Sequence, residues 1–248
     1  MPNIRQALGA NRRPEHHAHE GHRDVTGGAA RATVFGISDG LVTNASLIFG
    51  LAGAHPSAGV VRLAGLAALS AGSCSMALGE YVSMQAQREL FQREIATERS
   101  AIEENPEDEH AELAELYRNR GLDAKTSDVV ATALMRDTDL AVATHAREEL
   151  GISPDSLGSP IAAAASSFAA FAVGAIVPLF PWLVLSGSPA TIATVTVSVL
   201  LAVAIGIALA GFTGRSRLRS SLRQVLLSGS AAAIAYGVGA AVGVARPA

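Results

Sequence analysis

Residues 156–214 contain no Asp, Glu, Lys or Arg. A water-soluble domain needs charged faces, so a void of this length requires either lipid around the segment or a very large core. The rest of the chain favours lipid. Only 17% of its residues are charged, and those are segregated by region, which makes the net charge of −3 uninformative.

Five apolar segments stand out, at 33–54, 63–79, 160–185, 190–212 and 224–245. A hydrocarbon core of about 30 Å needs about 20 helical residues, which each segment meets or approaches. The expected fold is all-α: a polytopic membrane protein with five transmembrane helices. The second segment has no breaker after it and continues into a polar helix. The third carries Pro178 and Pro181 near its end, tolerable where neighbouring helices re-satisfy the backbone. Ser186, Gly187, Ser188 and Pro189 separate the third from the fourth.

Residues 1–30 are polar and aperiodic, and read as a disordered tail containing His16, His17, His19 and His22. These histidines either capture metal or are incidental. No apolar h-region follows a basic start, so an uncleaved signal-anchor is expected rather than a signal peptide. Arg5, Arg12, Arg13, Arg23 and Arg31 precede the first span, and Arg215, Arg217, Arg219 and Arg223 lie between the last two. The opposite side has only Arg62 and Arg246. The positive-inside rule then predicts a cytoplasmic N-terminus and an external C-terminus, consistent with an odd number of spans. Arginine outnumbers lysine so heavily that Lys125 is the only lysine. With the abundant alanine, this points to a GC-rich bacterium and its plasma membrane. Cys74 is the single cysteine, which excludes an intramolecular disulfide and a Cys-based zinc site. No nucleic-acid partner and no permanently bound cofactor are expected.

The domain division is a tail at 1–30, two spans at 31–85, an insert at 86–155 and three spans at 156–248. The insert holds 17 of the 22 acidic side chains against 8 basic ones. It reads as helices at 90–104, 107–120, 126–135 and 138–150, with Asn105 and Pro106 as a break and Thr126 or Ser127 as N-caps. Leu113, Leu116, Val129, Val130, Leu134, Leu140 and Val142 are its candidate core. By topology the insert is cytoplasmic.

Two polar stripes lie at membrane depth. Asp39, Thr43 and Ser46 share one face of the first span, beside Asn44. Ser73, Met76, Glu80 and Ser83 share one face of the second. An intramembrane carboxylate is costly and usually faces a cavity. Oxygen-only cages suit Mg²⁺ and Ca²⁺, and a thioether shifts preference toward softer first-row ions. A carboxylate that sheds its proton on binding metal also couples metal to proton movement. Plainer roles stay open: Met76 as packing, Asp39 as a hydrogen-bond hub, and Glu80 snorkelling to the interface.

In the insert, Glu94 and Glu98, Glu109 and Glu112, and His145 and Glu149 each form a pair on one helical face. Like charges at that spacing repel, and a cation would relieve them. A solvated acidic surface is the alternative. Glu107 and His110 make one Glu-x-x-His step, whereas a ferritin-like di-iron site needs two. A membrane-anchored iron-binding or ferroxidase module without transport is thus the second functional class.

The runs FGISDGLVTN at 35–44, SMALGEY at 75–81 and GAIVPL at 174–179 resemble the vacuolar iron transporter family, in the right order. The resemblance covers nearly the whole chain after residue 30. It implies a proton-coupled exporter of cytosolic Fe²⁺, often also Mn²⁺, working as a homodimer with its pore at the subunit interface. It implies an intramembrane metal site at Asp39 and Met76 with Glu80 nearby; Thr43, Asn44 and Ser73 of the two stripes are then the expected polar groups along the path. It further implies a metal-binding insert using Glu98, Glu109, Glu112 and Glu149, and less directly Glu94. Two positions depart from the family pattern. Ala101 stands where a glutamate is usual, and His145 and Ala146 stand where a methionine pair is usual, so the insert is expected either to bind fewer ions or to bind them with nitrogen in place of sulfur.

Overall fold

A computed structural model describes residues 28–151 and 158–244; the tail up to residue 27, with its histidines and most of its arginines, lies outside them. The described residues form eight helices and no strand. They are α1 (Gly28–Gly53), α2 (Ala58–Glu104), α3 (Pro106–Asn119), α4 (Ala124–Leu134), α5 (Thr138–Glu148), α6 (Pro160–Val184), α7 (Gly187–Thr213) and α8 (Arg217–Val244). Helices α1, α2, α6, α7 and α8 are the five long and apolar enough to cross a membrane.

Helix directions follow from pairs of close contacts. Gly36 meets Ala170 and Asn44 meets Ala175, so α1 and α6 run the same way. Gly65 meets Leu179 and Gly72 meets Phe171, so α2 runs against α6. Ser38 bonds Gln224 and Gly50 meets Ala235, so α8 runs with α1. The α3–α5 insert and the α7–α8 connection with its exposed arginines therefore lie at one end of the bundle. The α1–α2 and α6–α7 turns lie at the other.

α6 is the centre of the packing, and α1 and α2 each pack most extensively on it. It starts with Pro160 at its first position, and the Ser159 hydroxyl accepts from the Ala162 N–H. Pro178 and Pro181 remain inside the helix. Beside them Asn44 Nδ2 donates to the Ala175 carbonyl at 2.7 Å and Thr194 Oγ1 to the Pro178 carbonyl at 3.1 Å, which are not the Gly174 and Val177 carbonyls that the two prolines leave without an N–H partner. Two buried clusters fill the bundle. Ile48, Val61, Leu179, Trp182 and Ala190 close the turn end, and Leu41, Ala45, Ala202 and Ile205 pack α1 against α7.

Arg62 caps α6 from α2. Its Nε donates to the Trp182 carbonyl at 2.6 Å and its Nη2 to the Leu185 carbonyl at 3.2 Å. Charge-assisted bonds of this kind satisfy helix-end carbonyls that have no partner in their own helix. Arg62→Met keeps the apolar stem and removes both bonds. It should cost about 2 kcal/mol of stability, read as a lower thermal midpoint in detergent, with no change in helix content.

The structure differs from the sequence expectation at several points. α1 begins at Gly28, inside the expected tail, α2 at Ala58 and α7 at Gly187, each ahead of its apolar run. α8 begins at Arg217 rather than at 224, because Ser220, Ser221 and Gln224 are buried while the arginines of this turn point outward. An apolar-run criterion misses such a turn. The N-caps of α4 and α5 are Asp123 and Asp137, not Thr126 or Ser127; Asp123 Oδ1 accepts from the Lys125 and Thr126 N–H groups. The insert core is also smaller in side-chain volume than expected. Leu113 and Val142 are buried, but Val129 and Leu140 are 61% and 46% exposed. Ala114, Ala131, Ala141 and Ala146 are buried instead, so the short helices approach through alanine.

Candidate metal centre

The insert gathers its acidic side chains because three helices end on one point. α3 opens with Pro106 and carries Glu107, Asp108 and Glu109 in its first turn, where the helix dipole favours negative charge. α5 is fixed on α2 by Ile102, Ala141 and Val142, and by an ion pair between Arg99 and Asp139 at 2.6 Å. Arg120 at the end of α3 pairs with Glu148 at the end of α5. α3 rests on α4 through Leu113, Ala114 and Ala131.

These contacts bring Glu98 of α2, Glu109 of α3, and His145 and Glu149 of α5 together. The His145 side chain is fully buried, and its Nδ1 lies 3.0 Å from Glu98 Oε1, 3.0 Å from Glu149 Oε1 and 3.6 Å from Glu109 Oε2. Nδ1 thus sits within ion-pair reach of three carboxylates, while Nε2 is buried with no hydrogen-bond partner among the described residues. One ligand atom each from Glu98, Glu109 and His145 falls within 4.8 Å of the others. Glu112 is exposed one turn along α3 and acts on Glu98 and Glu149 through its charge. Glu94 is half-buried, one turn nearer the membrane, and is not among the converging groups. His110 faces α4 instead, with Nε2 2.9 Å from Thr132 Oγ1.

Burial raises the Glu98 and Glu149 carboxyls above their ordinary value of 4.5, and the neighbouring glutamates add to the rise while His145 opposes it. A carboxyl with a raised folded-state pKa contributes stability that is present below its unfolded value and lost as pH rises through its folded value. The metal-free insert should therefore become more stable as pH falls from neutral toward 4.5. Metal affinity should move the opposite way, since protons compete for the same oxygens. Thermal melts with and without Mn²⁺ between pH 7.5 and about 5 check this: the metal-induced rise in midpoint should shrink as the metal-free midpoint climbs.

The intramembrane residues are arranged differently. On α2, Ser73 is fully buried, while Met76 and Glu80 are half-buried, stepping toward the insert. On α1, Asp39 is half-buried and accepts from the Thr43 hydroxyl at 3.4 Å. Asn44 is fully buried in the α1–α6 seam, where it latches onto Ala175. The two stripes approach by way of α6. Phe171 has its backbone against Gly40 and its ring against Gly72. Asp39, Met76, Glu80 and the exposed Thr43 thus all reach the surface of the chain rather than a closed chamber. A separate cavity of about 340 Å³ between α1, α7 and α8 is apolar, lined by Leu41, Phe49, Val199 and Tyr236 among others, with no carboxylate, histidine or thiol in its lining.

A sequence profile of the VIT family matches residues 30–240 of this chain. The chain belongs to the VIT family. It is 38% identical over 223 residues to the vacuolar iron transporter of Acanthamoeba castellanii, covering 89% of this chain and 82% of that protein. It is 30% identical over 228 residues to vacuolar iron transporter 1 of Oryza sativa subsp. japonica, covering 92% and 90%. The match to vacuolar iron transporter 1 of Arabidopsis thaliana is also 30% identical, over 213 residues, covering 86% and 85%. Within this VIT-family chain the profile spans both the intramembrane stripes and the His145 cluster.

Proposed function

We propose that this chain exports Fe²⁺, and also Mn²⁺, from the cytoplasm in exchange for protons, as a homodimer. The observation that carries the reading is the convergence of Glu98, Glu109, Glu149 and His145 at one end of α2, with Ser73, Met76 and Glu80 further along the same unbroken helix. The insert collects the ion, and the Met76 and Asp39 groups pass it on. The relatives named vacuolar iron transporters support iron as the cargo. Surface placement of intramembrane polar groups supports the dimer: a carboxylate facing lipid is unfavourable by several kcal/mol, about 2.5–3.5 on insertion scales, and a second protomer would cover Asp39 and enclose a wet path. The arginine-rich ends support a cytoplasmic insert and N-terminus, and composition supports a bacterial plasma membrane.

The ferroxidase alternative has less support, because the single Glu-x-x-His step turns His110 toward Thr132 and away from the cluster. Flux separates the two readings. Proteoliposomes holding the purified protein, an internal pH dye and an internal metal indicator should take up Fe²⁺ and Mn²⁺ while protons leave. Metal binding or Fe²⁺ oxidation without any flux would reject transport.

A further inference from the structure

We propose that the cavity between α1, α7 and α8 binds a neutral, membrane-dissolved carbonyl compound of about a dozen non-hydrogen atoms. The proposal goes beyond the metal reading and uses none of its residues.

The cavity follows from how the last two spans are tied. Near the insert end α7 and α8 touch. A Cβ at Gly206 would be driven into the Ser221 backbone, and Ser221 Oγ donates to the Val203 carbonyl at 3.2 Å. Further along, each helix is held by a different neighbour. Thr194 Oγ1 of α7 donates to the Pro178 carbonyl of α6 at 3.1 Å, while Gly50 and Gly53 of α1 take the α8 backbone at Gly239 and Tyr236. Between these ties α7 and α8 leave a space of about 340 Å³ over α1. Leu41 and Ala45 are buried beneath it, and Val199 and Tyr236, 43% and 47% exposed, stand at its mouth. The mouth lies within membrane-spanning helices, so an occupant enters from the bilayer.

Two hydroxyls set what the occupant must carry. Ser198 of α7 and Ser228 of α8 both line the cavity, and both Oγ atoms are buried without a hydrogen-bond partner among the described residues. A hydroxyl in a helix has a ready acceptor in the carbonyl three or four residues back. Thr191, Thr196 and Thr213 of α7 and Ser230 of α8 all use it, at 2.8–3.3 Å. Ser198 and Ser228 do not, and so keep their O–H groups for the cavity. A buried donor without a partner is costly, and hydrocarbon offers no acceptor. A carbonyl oxygen offers two lone pairs and brings no proton of its own to place. A charged ligand is excluded, because no ionised side chain lines the cavity to meet it. Volume sets the size: an apolar cavity of about 150 Å³ takes up benzene, so this one has room for about twice as many atoms. Apolar walls with a few placed polar groups are also the usual make-up of a small-molecule site.

The test uses the full chain in nanodiscs, photolabelled with 2-undecanone that bears a diazirine at the far end of its chain. Mass spectrometry maps the labelled residues, and the competitors are 2-undecanone and undecane, which has the same chain without oxygen. Label is expected on the cavity-lining residues of α7 and α8. 2-Undecanone should displace it at a mole fraction in the lipid about ten-fold lower than undecane needs, the affinity equivalent of one or two hydrogen bonds. Equal displacement by the two overturns the proposal, since the cavity would then hold a plain hydrocarbon tail. Absence of displaceable label there overturns it as well. Ser198→Ala combined with Ser228→Ala should erase the ten-fold difference and leave displacement by undecane unchanged; a difference that persists overturns the proposal. Gly229→Leu keeps the test decisive if the double variant fails to fold. Gly229 lines the cavity and a Cβ there meets nothing within 4 Å, so the larger side chain has open space to grow into. Displaceable label should be lost in Gly229→Leu, and its survival overturns the proposal.

Discussion

Gly174→Val will prevent the membrane bundle from assembling. A Cβ at Gly174 would be driven into the Ile37 carbonyl oxygen, and would lie 2.8 Å from the Ile37 carbonyl carbon. Gly40 makes the reciprocal approach, with a Cβ driven into the Phe171 carbonyl and 2.8 Å from the Ala175 nitrogen. The obstacles are backbone atoms of a helix that is itself packed on both sides, so no rotamer change makes room. Separating α1 from α6 would also break the Asn44 bond to Ala175 and leave a buried amide unpaired. The expected cost is upward of about 3 kcal/mol, seen as loss of the monodisperse peak on size-exclusion chromatography and of any cooperative melt. Gly237→Val is the control, since a Cβ there meets nothing within 4 Å. Equal behaviour of the two variants would mean that α1 and α6 do not approach this closely.

Asp39→Asn should lower metal flux by about a hundred-fold, the rate equivalent of losing a charged interaction of about 3 kcal/mol at the barrier. The substitution keeps shape and retains an acceptor for Thr43, whose hydroxyl lies 3.4 Å away, while removing the charge that attracts a dication. Met76→Leu is nearly isosteric and removes only the sulfur, so a smaller loss of about ten-fold is expected, one of order 1.4 kcal/mol. Both variants should keep the metal affinity of the distant insert, which distinguishes a path defect from a capture defect. Wild-type flux in both would reject Asp39 and Met76 as the route.

Much of the fold is legible in the sequence because the bilayer imposes few options. The charge void, segment lengths and arginine bias lead to five spans without any tertiary information. The continuity of α2 is legible because nothing between residues 80 and 104 breaks a helix. What stays hidden is non-local. The i, i+4 spacing of His145 and Glu149 is visible in the sequence, but the approach of Glu98 and Glu109 to the same nitrogen depends on how α3 folds back. Phe171 is a plain apolar residue in sequence, yet it stands between α1 and α2 beside the polar stripes. Val129 and Leu140 mislead because apolar type alone does not say which face a short helix turns inward.

α2 is a rod of about 70 Å at 1.5 Å per residue. From Glu80 to Glu98 the helix completes about five whole turns, so both carboxylates leave it at the same azimuth, about 27 Å apart. The two ends are therefore kept in phase by covalent geometry alone. One added residue between them would swing Glu98 about 100° around the axis and away from α3 and α5. An insertion or deletion between them would keep this phase only in steps near a whole number of turns, much as a gear shaft can be cut only between teeth.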